Sequence, residues 1–148
     1  MNNHQLKSIL RPILGEAFGG VWPCDLLPYK IAKRPCYIVV NTHDQNREGE
    51  HWVGMIIEAE QGRASFFDSY GHPPDCQLYP PEFIRFLTKN SREIRYNTQQ
   101  VQDDFSATCG AHVIYHLCQR FKGLSFQEAM RLYSDNLKKK TMLWSPSL

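Results

Sequence analysis

With 148 residues, 42% of them apolar and 22% charged, the chain is long enough for one domain with a sizeable core and too short for two large ones. A net charge of +2 makes no demand for a nucleic-acid partner, and no apolar run approaches the roughly eighteen residues of a membrane span. The N-terminus "MNNHQLKSIL" lacks the apolar core of a signal peptide, so an intracellular, reducing compartment is expected.

In chain order, "HQLKSILRPILGEAF" has helical apolar spacing at Leu6, Ile9 and Leu10, with Pro12 expected to interrupt it. "GGVWPCDLLPYK" reads as irregular from its glycines and prolines. "CYIVVN" is a short β-branched run and predicts a buried strand. "HWVGMIIEA" and "RASFFDSY" predict two more strands, joined by a turn at Glu60-Gln61-Gly62. "EFIRFLTKN" predicts a short helix, with Pro80 and Pro81 at its start. "EIRYNTQQVQ" alternates like a strand. "CGAHVIYHLCQRF" predicts a helix closed by Gly123, and Ser125 with Glu128 forms a capping box for "SFQEAMRLYSDNL". Helices at the ends and strands in the middle imply one α+β domain over residues 1–148.

The five cysteines, Cys24, Cys36, Cys76, Cys109 and Cys118, are odd in number and contain no CxxC pair, which suggests neither a disulfide framework nor a zinc ribbon. Cys109 stands apart, because it opens a helix-periodic run. A thiol is a useful nucleophile only as thiolate, and both a helix N-terminus and a nearby imidazolium lower its pKa from about 8.5. Such a histidine needs a carboxylate to hold its tautomer and orientation. A two-residue hairpin loop would put His51 and Asp68 on the same face, near the same open end of the hairpin. A three-residue loop would separate them. Alone, His51 also reads as a solvated strand-start residue, Asp68 as a turn former and Cys109 as a small buried hydrophobe. Cys109, His112 and His116, with Cys118 nearby, form a rival zinc arrangement that lacks a fourth ligand on one face. No metal is expected.

Together, His51-Trp52, Asp68, Gln102 and Cys109-Gly110 resemble the adenoviral maturation protease (adenain) family of cysteine proteases. "CYIVVNTHDQNREGEHW" is similar to the segment leading to that family's His-Trp pair, and "VQDDFSATCG" to its "VQGPNSAACG"-type segment. "QLKSIL" echoes its "ELKAIV"-like start, so the likeness runs from the N-terminus to about residue 120. The resemblance implies a mixed central β-sheet flanked by helices, with the nucleophile at a helix N-terminus. It implies Cys109 as nucleophile, His51 as general base, Asp68 as its orienting acid, and Gln102 as a donor to an oxyanion hole beside the Cys109 backbone N–H. Trp52 would pack beside the substrate cleft.

The implied substrates are viral precursor proteins cut at small-residue, glycine-containing sites, in the virion and host nucleus, by a monomer that needs no cofactor. The related ubiquitin-like-protein-specific proteases share the residue order, and "DSYG" resembles their acid segment. Their glutamine lies one position nearer the cysteine, where this chain has Asp103. Deconjugation of ubiquitin-like proteins and a catalytically idle interaction module are therefore the alternatives. Asp68 stands where many adenoviral enzymes have glutamate. The family's activation by a disulfide-tethered viral peptide lacks its cysteine here, where the chain reads "NSREI". Activation by DNA rests on Lys30, Lys33 and Arg34 and on the run Lys138-Lys139-Lys140.

Overall fold

A computed structural model describes residues 1–43, 51–102 and 108–133. The first helix, α1 (Asn3–Leu14), opens with a capping box in which the Asn2 side chain accepts from the Gln5 N–H and the Gln5 side chain accepts from the Asn2 N–H. Pro12 does not interrupt it. The proline lies on the exposed side of the last turn, while Leu6, Leu10 and Leu14 repeat every fourth residue and are buried. Burial of that stripe carries the helix through a position that costs it one hydrogen bond. Ile9, by contrast, faces outward.

The stretch expected to be irregular contains a strand instead, β1 (Phe18–Pro23), which pairs in parallel with β2 (Cys36–Asn41) at the edge of the sheet. An edge position tolerates the proline, whose missing N–H would break an interior ladder. Gly19 is needed there: a Cβ at that position would come within 2.4 Å of Cys36 Sγ and 2.5 Å of Ile38 Cγ2. The strands β3 (Trp52–Ile57) and β4 (Arg63–Phe67) follow, then α2 (Pro81–Asn90), β5 (Glu93–Tyr96) and α3 (Cys109–Phe121). Strand β5 is shorter than its alternating sequence suggests. A further helical stretch covers residues 126–133, and the Ser125–Glu128 capping box that starts it is formed in both directions.

The five-stranded sheet has the order β1-β2-β3-β4-β5. Its inner pairs are antiparallel and its outer pairs parallel, so the sheet is mixed. Strand alternation sends side chains into two cores. Tyr37, Val39, Trp52, Ile56 and Phe67 join Leu6, Leu10, Val113 and Leu117 on the α1/α3 side. Ile38, Val40, Val53, Met55, Ile57 and Phe66 join Phe83, Phe86 and Leu87 on the α2 side. Gly54 lets α3 lie close on β3, since a Cβ there would meet Val113 Cγ1 at 3.2 Å and Leu117 Cδ2 at 3.4 Å. None of the five cysteines forms a disulfide.

Candidate active site

The hairpin register decides which residues meet. Gly54 pairs with Phe67, so the next rung sets Asp68 opposite Val53, on the side of the sheet shared with His51. On its other flank His51 continues the β2–β3 ladder, its carbonyl accepting the Thr42 N–H at 3.0 Å. At this end of the hairpin His51 Nε2 lies 2.6 Å from Asp68 Oδ1. The shorter acid therefore reaches the ring without an intervening group.

Asp68 is fully buried, and a buried carboxylate stays ionised only when surrounded by donors. Its Oδ1 also accepts the Tyr70 N–H at 3.1 Å, and Oδ2 accepts the His72 N–H at 3.0 Å and the Tyr79 hydroxyl. Its backbone is held by Asn97, whose side chain accepts the Asp68 N–H at 3.0 Å and donates to the Asp68 carbonyl at 2.6 Å. That side chain extends the β4–β5 pairing beyond the end of β5. Burial would raise the Asp68 pKa, but the His51 and Tyr79 hydrogen bonds and the His51 charge hold it below the ordinary value. The His51 ring stacks on Tyr70 at 4.7 Å and, farther off, on Tyr79 at 6.0 Å.

Cys109 reaches the same place from the opposite core, as the first residue of α3. Its sulfur accepts the Trp52 backbone N–H at 3.5 Å. With Nε2 taken by Asp68, the buried Nδ1 of His51, which has no hydrogen-bond partner within ordinary limits among the described residues, is the ring nitrogen left for the thiol. The two groups are near enough to perturb each other. Burial opposes charge on both, yet hydrogen bonding and charge between them, with the Trp52 and Gly110 N–H groups on the sulfur, lower the Cys109 pKa. Burial likewise disfavours the imidazolium, but Asp68 and Cys109 outweigh it and raise His51 to about 9. Opposite shifts on adjacent groups favour charge on both, the condition for a thiolate–imidazolium pair.

Gln102 is buried, and its chain neighbour Val101 belongs to the same apolar cluster as Cys109. The Val101 and Gln102 N–H groups donate to the Ser69 carbonyl at 2.8 and 3.1 Å, and the Ser69 hydroxyl donates to Gln102 Oε1. Trp52 is buried, and its indole Nε1 donates to the Met1 carbonyl at 3.1 Å. Met1 and Trp52 both border Gly110, where a Cβ would lie 3.4 Å from Met1 and 3.6 Å from Trp52.

The rival zinc set does not assemble: among the described residues no group of three metal-binding side chains converges. His116 is buried face to face with Phe67 at 4.3 Å. Of the cations considered for DNA, Lys30 and Lys33 are exposed, whereas Arg34 is committed to the Asn90 and Glu58 carbonyls. Lys138-Lys139-Lys140 lies outside the described residues. No helix among the described residues is long and apolar enough to cross a membrane. Sequence reasoning did not reach Ser69, Tyr70, Tyr79 or Asn97 as parts of the site. Only "DSYG", as a turn following the acid, pointed toward the first two.

No curated protein matches the sequence. The family model described as adenovirus endoprotease matches residues 18–147. That range begins after α1 and continues past residue 120, so it omits the "QLKSIL" echo and takes in the helical stretch 126–133. With most of its length matched, the chain belongs to the adenovirus endoprotease family and is a cysteine endopeptidase.

Proposed function

We propose that Cys109, His51, Asp68 and Gln102 carry out the peptide cleavage. The observation supporting this most strongly is His51, bonded to a buried carboxylate on one side and perturbing a helix-N-terminal thiol on the other. The Cys109 thiolate attacks the scissile carbonyl carbon. Negative charge develops on the carbonyl oxygen, facing the Cys109 backbone N–H and the Gln102 amide, in the manner of an oxyanion hole. His51 then gives its Nδ1 proton to the leaving amine, and the acyl-enzyme forms. As general base, neutral His51 next takes a proton from water, whose oxygen attacks the thioester carbon; the C–S bond breaks, the product leaves with its new carboxyl terminus, and the thiolate–imidazolium pair is restored. Asp68 keeps the ring oriented and its charge favourable throughout.

This chemistry requires no metal or organic cofactor. Trp52 and Met1 border the cleft beside Gly110 and favour small substrate residues there. In this reading the substrates are viral precursor proteins cut next to glycine or other small residues, in the virion and host nucleus, by a monomer. Activation by DNA, in this reading, would draw on the exposed Lys30 and Lys33 and on the run Lys138-Lys139-Lys140.

The test is site-resolved iodoacetamide labelling from about pH 5 to about pH 10 for wild type and His51→Ala, beside cleavage of glycine-containing peptides. Cys109 should label far faster than the other cysteines well below the ordinary thiol pKa of about 8.5. The advantage should collapse in His51→Ala. Equal labelling of all five cysteines in wild type would refute the assignment.

A further inference from the structure

We propose that Ser69 is a positioning residue that decides which end of the Gln102 amide is presented toward Cys109. The inference rests on the peptidase reading above. A glutamine amide has two ends of nearly equal shape and opposite character, a carbonyl acceptor and an N–H donor. Only the donor end stabilises an oxyanion; the acceptor end would repel it. A glutamine used this way needs something that sets its flip.

Ser69 is placed to do this. It is fully buried, so its hydroxyl proton must find an acceptor inside the protein. Among the described residues, the Gln102 carbonyl oxygen is the acceptor it bonds. Reversing the amide would put N–H against the hydroxyl and leave that proton without an acceptor, in a place where an unsatisfied donor is costly. Burial of Ser69 thus fixes Oε1 toward the serine and turns the donor end, Nε2, the other way.

The backbone is fixed by the same residue, since the Ser69 carbonyl accepts the Val101 and Gln102 N–H groups at 2.8 and 3.1 Å. Ser69 follows Asp68 directly. The dipeptide therefore holds the base with one side chain and the oxyanion donor with the next. Gly71 permits this approach: at φ 78° it turns the chain so closely that a Cβ would lie 2.7 Å from the Thr98 carbonyl oxygen.

The experiment compares Ser69→Ala, Gln102→Ala and the double variant on a fluorogenic Gly-Gly peptide. Ser69→Ala should lower kcat by about threefold to tenfold with KM unchanged, the value of one ordinary hydrogen bond. Gln102→Ala should cost about a hundredfold or more, and adding Ser69→Ala to it should cost nothing further. Iodoacetamide labelling of Cys109, which uses no oxyanion hole, should keep its rate and pH profile in Ser69→Ala. Ser69→Cys, close in size but a weak donor, should show the same kcat loss and covers the case in which alanine unfolds the site. Full additivity in the Gln102→Ala background, a raised KM with kcat intact, or a shifted labelling profile would overturn the proposal. A wild-type chain that cleaves nothing and labels slowly instead removes the peptidase reading. The clamp is then decided by the Gln102 side-chain amide signals in 15N-glutamine-labelled protein. Protection in wild type that is lost in Ser69→Ala supports it, and equal exchange in the two overturns it.

Discussion

Replacing Asp68 by asparagine isolates the charge that the site is built around. The side chain keeps its size, but the negative charge facing His51 Nε2 at 2.6 Å is gone. His51 is raised from its ordinary 6.5 to about 9, and at about 1.4 kcal/mol per unit this is a preference of about 3 kcal/mol for the protonated ring. Burial alone would push the ring the other way. Without Asp68 the larger part of that preference should vanish. The thiolate then loses its partner, so the Cys109 pKa should climb. In a pH profile of kcat/KM or of Cys109 alkylation, the wild-type alkaline limb should fall near pH 9, where His51 loses its proton. In Asp68→Asn that limb should move to about 7 or below, with the plateau reduced at least tenfold. The stability effect has the same sign. A raised histidine pKa stabilises the fold fully below 6.5, and the gain is lost as pH rises through about 9. The Tm difference between wild type and variant should therefore narrow across that range. Part of the difference will remain, because the Tyr79 hydroxyl and the Tyr70 and His72 N–H groups lose their carboxylate acceptor. An alkaline limb that stays near 9 in Asp68→Asn would refute the view that this carboxylate sustains the imidazolium.

Two further substitutions test the surroundings of the site. Neither ring nitrogen of His116 has a hydrogen-bond partner among the described residues, and burial, helped by the Arg120 charge, depresses its pKa to about 3. A depressed histidine contributes stability above 6.5 that is lost as pH falls toward the folded value, so His116→Leu should raise Tm more at about pH 5 than at about pH 8, read by thermal melts. Gly71→Ala would force an L side chain into positive φ and against the Thr98 carbonyl. Urea denaturation should show a loss of about 2–4 kcal/mol, with kcat falling because the turn carrying Asp68 and Ser69 shifts.

The three antiparallel strands were legible because β-branched residues and alternation dominate them, and because the short loop forces a register that sets His51 and Asp68 on one side. The α3 boundaries were legible from periodicity and Gly123. Strand β1 was hidden, since Gly19, Gly20 and Pro23 read as loop residues until Cys36 and Ile38 are seen to demand a glycine beside them. Pro12 misled for the opposite reason: a local rule was overridden by burial of Leu14 in the last turn. Within the site, Cys109, His51 and Asp68 were candidates by residue type and placement, and the family resemblance joined them and added Gln102. Tyr79 and Ser69 did not, because their hydrogen bonds span 11 and 33 residues of chain and depend on how the turn after β4 folds back on residues 97–102.

Successive residues of β3 belong to different cores, and this has a consequence for when the enzyme becomes dangerous. Cys109 is carried by the α1/α3 core, whereas His51 and Asp68 follow the strand face that packs on α2. The proposed nucleophile and its base are thus held by cores on opposite faces of one sheet, and come together at its end. A nascent chain with one core packed holds a thiol without a base, or a base without a thiol.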